Sequence, residues 1–417
     1  MTARAFAVAV LSCLPTLASS AQMAPPVRPL GPVVRAYTGD QLGSVSYVRP
    51  LPNGDVIVHD LTRRQVVLLD SKLALKAVIA DTKAAVGGYT SELAGLIPYR
   101  GDSSLFVDPQ ALTMTVIDGK GALGRVIAIP RPRDANNMIG GPFGTPGVDP
   151  AGRIVYRGIA TPDRRKASAG PPEPGQQFQL PQIPDTAPLL RVDIETHRTD
   201  TIAFLKIPAT TLHVSETERG YLTVVKTNPL PMVDDWALFP DGRIAVLRGR
   251  DYHLEILQPD GRWVSSAKVP FGWQRLFDDD KQRVVDSATT TWQRQRAEIE
   301  RRVNGDTATG PTAGARSGAV RRFQGPNQES FAAKELPDYR PAFKQGAMSV
   351  DRSGNLWVRT TAPSDAGAIY DVINGNGELI DRVKVPFGRV ISGFGDGVVY
   401  LGVLDETRAV IEVARVR

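Results

Sequence analysis

Apolar positions along this chain come in short runs separated by polar turns, the pattern of β-strands and not of amphipathic helices. One unit recurs, a glycine-bearing turn followed by an apolar, often β-branched run. It reads Pro52-Asn53-Gly54-Asp55-Val56-Ile57-Val58, then Asp149-Pro150-Ala151-Gly152-Arg153-Ile154-Val155, then Pro240-Asp241-Gly242-Arg243-Ile244-Ala245-Val246. A fourth copy is Asp351-Arg352-Ser353-Gly354-Asn355-Leu356-Trp357-Val358, and weaker copies surround Gly101 and Gly397. Asn-Gly and Asp-Gly pairs accept the positive φ of a tight turn, so the run that follows can pair back as a hairpin.

Each unit leads into a second hairpin, such as Gln65 to Asp70 with Leu75 to Ile79, or His253 to Gln258 with Trp263 to Val269. Four strands per unit is the make-up of a propeller blade. The spacing from Gly354 to Gly397 is 43 residues, within the ~40–45 of one blade. The last unit stops after Ala409 to Val413 and lacks a fourth strand, while a spare strand, Val33 to Tyr37, lies near the other end. Pairing the two would remove the exposed edges of an open array. The fold predicted is all-β: a six-bladed β-propeller closed by an N-terminal strand, forming a single domain over 22–417.

The repeated turn-strand units, together with Pro337-Asp338-Tyr339-Arg340-Pro341-Ala342-Phe343 ahead of the Gly354 unit, resemble the exported bacterial six-bladed propellers of the NHL/TolB-like kind. The resemblance spans roughly residues 33 to 417. It implies a fold and no activity, because propellers host lactonases, lyases, receptors and adaptors alike.

Two insertions interrupt the repeats. Residues 161–188 form a Pro-, Gly- and Gln-rich loop. Residues 272–345 carry a predicted helix from Asp279 to about Val303, with Asp278 to Asp280 at its start and Arg301 and Arg302 at its end, matching the macrodipole. Val285, Ala288, Trp292, Ile299 and Val303 fall on one stripe, which should pack on the propeller. Asp306 to Gly318 is a Gly/Thr/Ala-rich run. A third long stretch, Pro208 to Met232, links two blades. All of these leave from the same face of the predicted ring, and loops over a rigid scaffold are where function gathers.

Composition adds limits. The 50 basic and 44 acidic residues leave a net charge of +6, too balanced for a nucleic-acid footprint. Arg4, the apolar run Ala5 to Leu17 and the small residues Ala18 to Ala21 read as a cleaved signal peptide over 1–21. Val10-Leu11-Ser12-Cys13 gives a loose lipobox as the rival reading. Export to the periplasm or outside the cell follows, with no transmembrane segment. Cys13 is the single cysteine, so the mature chain holds no disulfide. The molecule is expected to be a monomer.

Catalytic motifs are missing: no His-Glu-x-x-His, Gly-x-Ser-x-Gly or P-loop occurs. Gly119 to Gly124 fits Gly-x-Gly-x-x-Gly but precedes a strand where a dinucleotide site needs a helix, so it reads as a hairpin turn. His59, His197, His213 and His253 are scattered without ligand spacing. The candidate binding residues cluster where the inner strands begin: Asp234, Asp235 and Trp236, Arg275 and Arg389 after the two Val-Pro-Phe-Gly segments, and Asn136 and Asn137. Carboxylates plus Asn there could hold a divalent cation such as Ca, though no metal ligand is assigned. The function predicted is a binding scaffold for a protein, peptide or glycan; the alternative is a metal-dependent hydrolase, lactonase or lyase.

Overall fold

The glycine-bearing turns close hairpins. The Gly54 N–H donates to the Leu51 carbonyl at 3.0 Å with φ of 87°, and Gly242 repeats this onto Phe239 at 3.0 Å with φ of 88°. A second turn type closes the outer hairpins with an aspartate. Asp70 Oδ1 accepts from the Lys72 and Ala74 amides at 2.8 Å, and Asp118 does the same for Lys120 and Ala122 at 2.8 Å. The Gly119–Gly124 motif is thus a turn leading into the strand Leu123–Ala128.

The computed structural model describes residues 24–83, 88–162, 183–217, 220–306, 327–404 and 409–417. The expected signal peptide, most of the 161–188 insertion and the run after Asp306 lie outside these residues.

Among the described residues six sheets, apart from a smaller one within the insertions, follow one another along the chain. Sheet I comprises Val45–Pro50, Val56–Asp60, Gln65–Leu69 and Leu75–Ala80; sheet II comprises Gly95–Pro98, Ser104–Asp108, Thr113–Ile117 and Leu123–Ala128. Sheet III comprises Gly147–Val148, Arg153–Arg157, Thr186–Asp193 and Thr199–Lys206; sheet IV comprises Asp235–Leu238, Ile244–Arg248, His253–Leu257 and Trp263–Ser265. Sheet V is Phe343–Val350, Leu356–Thr360, Gly367–Ile373 and Leu379–Pro386, and sheet VI is Arg389–Gly395, Val398–Leu404 and Ala409–Arg415. Val33–Ala36 adds to the last of these antiparallel, with Arg35 opposite Val413 and Ala36 opposite Glu412. Val27–Pro29 adds to the outer strand of sheet V in parallel, a pairing with no signal in the local sequence.

The core is divided among the gaps between successive sheets. Ile57, Val66 and Leu68 of sheet I pack with Leu96, Phe106 and Ile117 of sheet II. Leu105 and Met114 of sheet II meet Ile154 and Tyr156 of sheet III, and Val155 and Leu189 of sheet III meet Trp236 and Val246 of sheet IV. Ala245 and Leu254 of sheet IV meet Leu356 and Val358 of sheet V, whose Trp357 and Tyr370 meet Val399 and Leu401 of sheet VI. Finally Tyr400, Ile411 and Val413 of sheet VI pack on Val48, Val58 and Val67 of sheet I. Period-two alternation produces this division: Val58 faces sheet VI while its neighbour Ile57 faces sheet II.

The insertions between sheets build on each other. Thr210–Thr217 and Gly220–Thr227 form a hairpin, and Asn327–Ser330 pairs with it in parallel, Val224 opposite Asn327. The helix Asp278–Asp306, longer than the sequence indicates, makes its main contacts with Asn327–Ser330 and with the short helical turn Ala333–Glu335. Its packing partner is therefore chiefly the inserted segment, where the stripe pointed to the propeller. Lys281 near its start is buried against Asp338 at 2.7 Å. Among the described residues no helix is long and apolar enough to cross a membrane.

Candidate ligand-binding face

In each sheet the first strand starts where the second ends, so connections fall at two opposite ends. One end carries only tight turns, among them 51–55, 99–103, 149–153, 239–243 and 351–355. The longer connections, 129–146, 158–185, 207–234 and 266–342, leave and rejoin the sheets at the other end. This loop-bearing end is where the sequence places its candidates.

The link into sheet III folds back over the inner strands of sheets IV and V. The Trp236 indole Nε1–H donates to the Phe143 carbonyl at 3.1 Å. Gly144 lies so close that a Cβ there would sit 2.3 Å from that nitrogen, and its φ is 87°. On the other side, a Cβ at Gly346 would sit 2.3 Å from the Gly141 carbonyl oxygen. Glycine at these positions allows the close approach. Asp235 secures the same region. Its carboxyl accepts from the Trp236 amide at 3.0 Å and from the Met348 amide of sheet V at 2.9 Å. Burial pushes this carboxyl up to about 7, against the lowering effect of the amides and of Arg157.

Arg157 ends the second strand of sheet III, with 7% of its surface exposed. Its guanidinium stands 4.8 Å from the Phe143 ring centroid, and burial pulls it down to about 10 while the Asp235 charge opposes that. Asn137 Nδ2 donates to the Arg157 carbonyl at 3.0 Å, tying the link to the strand end. Asp134 strengthens this tie by accepting from Arg131 Nε at 2.7 Å and from the Ile159 amide at 3.1 Å.

A cleft of about 600 Å³ opens at the same end beside sheets III and IV, lined by Lys206, Asp234, Arg248, Asp251, His253 and Glu255 among others. Arg248 bridges Asp234 at 2.8 Å and Glu255 at 2.6 Å. His253 Nδ1 meets Asp251 Oδ1 at 2.7 Å, with Nε2 at 3.7 Å from Glu255. Further along this end, Phe277, Tyr339 and Phe387 are exposed, and Arg275 stands over the Phe277 ring at 5.6 Å while bridging to Tyr339 through the backbone.

The sequence candidates therefore separate. Asp235 and Asn137 both adjoin Arg157. Asp234, the last residue of the connection, turns to the cleft, where it accepts from the Lys206 amide at 3.0 Å and from Arg248 Nη1 at 2.8 Å. Trp236 belongs to the core between sheets III and IV, with its indole N–H spent on Phe143. Arg389 is held bidentate by Glu412 at 2.6 and 2.8 Å, and Asn136 and Arg275 are exposed. Among the described residues no group of three or more His, Cys, Asp or Glu is placed to hold a metal ion. Arg157, His253 and Arg248 have no motif in the sequence; a charged residue closing an otherwise apolar strand copy is the one local signal for Arg157.

No family profile matches the chain, and no curated protein resembles it in sequence. Solved structures do. A gluconolactonase from Xanthomonas campestris is 12% identical over 93% of this chain and 99% of its own, with a TM-score of 0.40. Virginiamycin B lyase from Staphylococcus aureus, bound to quinupristin, is 8% identical over 91% and 99% at 0.40. The Swd1 β-propeller domain from Myceliophteria thermophila is 11% identical over 93% and 100% at 0.39. These neighbours are β-propeller proteins, and similarity at this level speaks to neither ligand nor reaction.

Proposed function

We propose that this chain is an exported six-bladed β-propeller of the NHL/TolB-like kind that binds a protein, peptide or glycan ligand at its loop-bearing end. The ring reading draws support from the cores that run from sheet to sheet and return from sheet VI to sheet I, and from the strand Val33–Ala36 beside Ala409–Arg415. Export draws on the sequence of residues 1–21 alone. The observation that carries the binding reading is the exposed cluster of Arg275, Phe277 and Tyr339 at the end where the longer connections emerge. Aromatic rings and arginine are the side chains that binding surfaces favour, since they give large contact area and directional donors together. The test is retention from envelope extract by the immobilised mature chain. Retention is expected to fall at least tenfold with Phe277→Ala plus Tyr339→Ala and to survive Arg352→Ala at the opposite end. Equal retention by both variants would reject the reading.

A second reading, a hydrolase or lyase, has one feature in its favour. Asp251 fixes the His253 ring inside the cleft, the arrangement that orients an imidazole for general base work. Turnover of lactone or ester substrates lost with His253→Ala would support it, and inert wild-type protein would reject it.

A further inference from the structure

The last residue of the second strand is polar in each of sheets I to V: Asp60, Asp108, Arg157, Arg248 and Thr360. Four of these side chains are engaged. Asp60 accepts from the Gly43 and Ser44 amides at 2.8 and 2.9 Å, and Asp108 accepts from the Thr90 and Ser91 amides at 2.6 and 3.2 Å. Arg248 holds two carboxylates, and Thr360 Oγ1 donates to the Ile369 carbonyl at 3.0 Å. Arg157 is the exception. Its Nε and Nη1 are buried with no hydrogen-bond partner among the described residues. No carboxylate oxygen of those residues lies within ion-pairing reach of it, and Asp235 already accepts from the Trp236 and Met348 amides.

A guanidinium taken out of water without an anion is costly, and contact with one aromatic face offsets only part of that. A second buried donor has no partner among the described residues: Gln345 Nε2, one residue before the Gly346 whose position closes on Gly141 of the link that carries Phe143. Both groups only donate, so what they lack is an acceptor.

We propose that Arg157 is the anchor of a carboxylate-binding subsite, formed where residues 139–146 of the link cross the inner strands, and that the ligand of this face carries the carboxylate. This rests on reading the loop-bearing end as a binding surface. An arginine in a desolvated position binds carboxylate by charge-assisted hydrogen bonds that a neutral isostere cannot supply. The carboxylate could belong to a peptide or to a uronic acid, and the two sources are separable by experiment.

The test is a melting-temperature titration of the mature chain with sodium acetate against sodium chloride at equal ionic strength, followed by glucuronate and a dipeptide with a free carboxyl terminus. Wild type is expected to gain stability with acetate and to respond at least tenfold more tightly to one of the two larger probes. Arg157→Met, which removes an unmatched buried charge, is expected to fold and to lose the acetate response. Should Arg157→Met fail to fold, Arg157→Lys is expected to keep the fold with a response weakened at least tenfold. Identical wild-type melting in acetate and chloride, or an acetate response that survives in Arg157→Met or is undiminished in Arg157→Lys, overturns the proposal. A flat titration alongside variant-sensitive retention of an envelope partner would reject the subsite and leave the binding face standing.

Discussion

The Asp235 carboxyl accepts a hydrogen bond from the Met348 N–H at 2.9 Å, joining the first strand of sheet IV to the first strand of sheet V beneath the link that carries Phe143. The contact ties the innermost framework to the surface proposed to bind ligand.

Its protonation gives the first prediction. Asp235 titrates near 7 in the fold against 3.8 in an unfolded chain, so the folded state holds the proton longer. A raised carboxyl contributes stability that is complete below the unfolded value and is lost as pH rises through 7. Asp235→Asn keeps an acceptor without the charge. Between pH 5 and pH 8 its stability relative to wild type is expected to improve by about 2–3 kcal/mol, at ~1.4 kcal/mol per pH unit. Urea melts of the two proteins at both pH values check this, and parallel pH dependences would count against it.

His59 gives the opposite slope. Its Nδ1 meets Ser46 Oγ at 2.8 Å and its Nε2 meets Tyr89 Oη at 3.1 Å, and burial holds the imidazole down to about 4. The unfolded chain takes up its proton near 6.5, so stability is whole above that value and falls as pH drops toward 4. Wild type is expected to lose about 2.4 kcal/mol between pH 7 and pH 4.5 from this group alone, at ~1.4 kcal/mol per pH unit. His59→Gln should melt with a visibly flatter acid limb, at the cost of a lower starting stability.

The pairing of Val33–Ala36 with Ala409–Arg415 can be trapped covalently. Arg35 and Val413 are directly opposed across the terminal strands, and the mature chain has no cysteine of its own if cleavage follows Ala21. Opposed residues in an antiparallel pair hold their Cβ atoms ~4.5–5.5 Å apart, close to disulfide range. Arg35→Cys with Val413→Cys is expected to oxidise within one chain and run faster on a non-reducing gel. A control pair, Arg35→Cys with Val264→Cys in sheet IV, should remain open.

How much of this was legible in the residues depended on the range of the interaction. The Gly54, Gly152, Gly242 and Gly354 turns are local chemistry, and the hairpins they announced are present with Asp70 and Asp118 adding a second turn signature. The pairing of Val33–Ala36 with Ala409–Arg415 could be inferred because one unit lacked a strand and one strand lacked a unit. Val27–Pro29, the small sheet shared by two insertions, and the resting place of the helix depend on contacts between distant segments that leave no periodic trace. The site was harder. Asp234 and Asp235 are adjacent in sequence and read as one cluster, yet Lys206 and Arg248 hold the first at the cleft while the Met348 amide holds the second in the interior. Arg157 ends a strand copy like any other, and only the five strand ends side by side reveal that its guanidinium has no acceptor for Nε and Nη1 among the described residues.

The loop-bearing end is the proposed working surface of the molecule. Hydrogen–deuterium exchange on the mature chain, with and without the partner it retains from envelope extract, tests it most directly. The expected result is slowed exchange confined to 131–146, 249–253, 272–278 and 337–342. Protection at the tight turns 51–55, 149–153, 239–243 and 351–355 instead would contradict it.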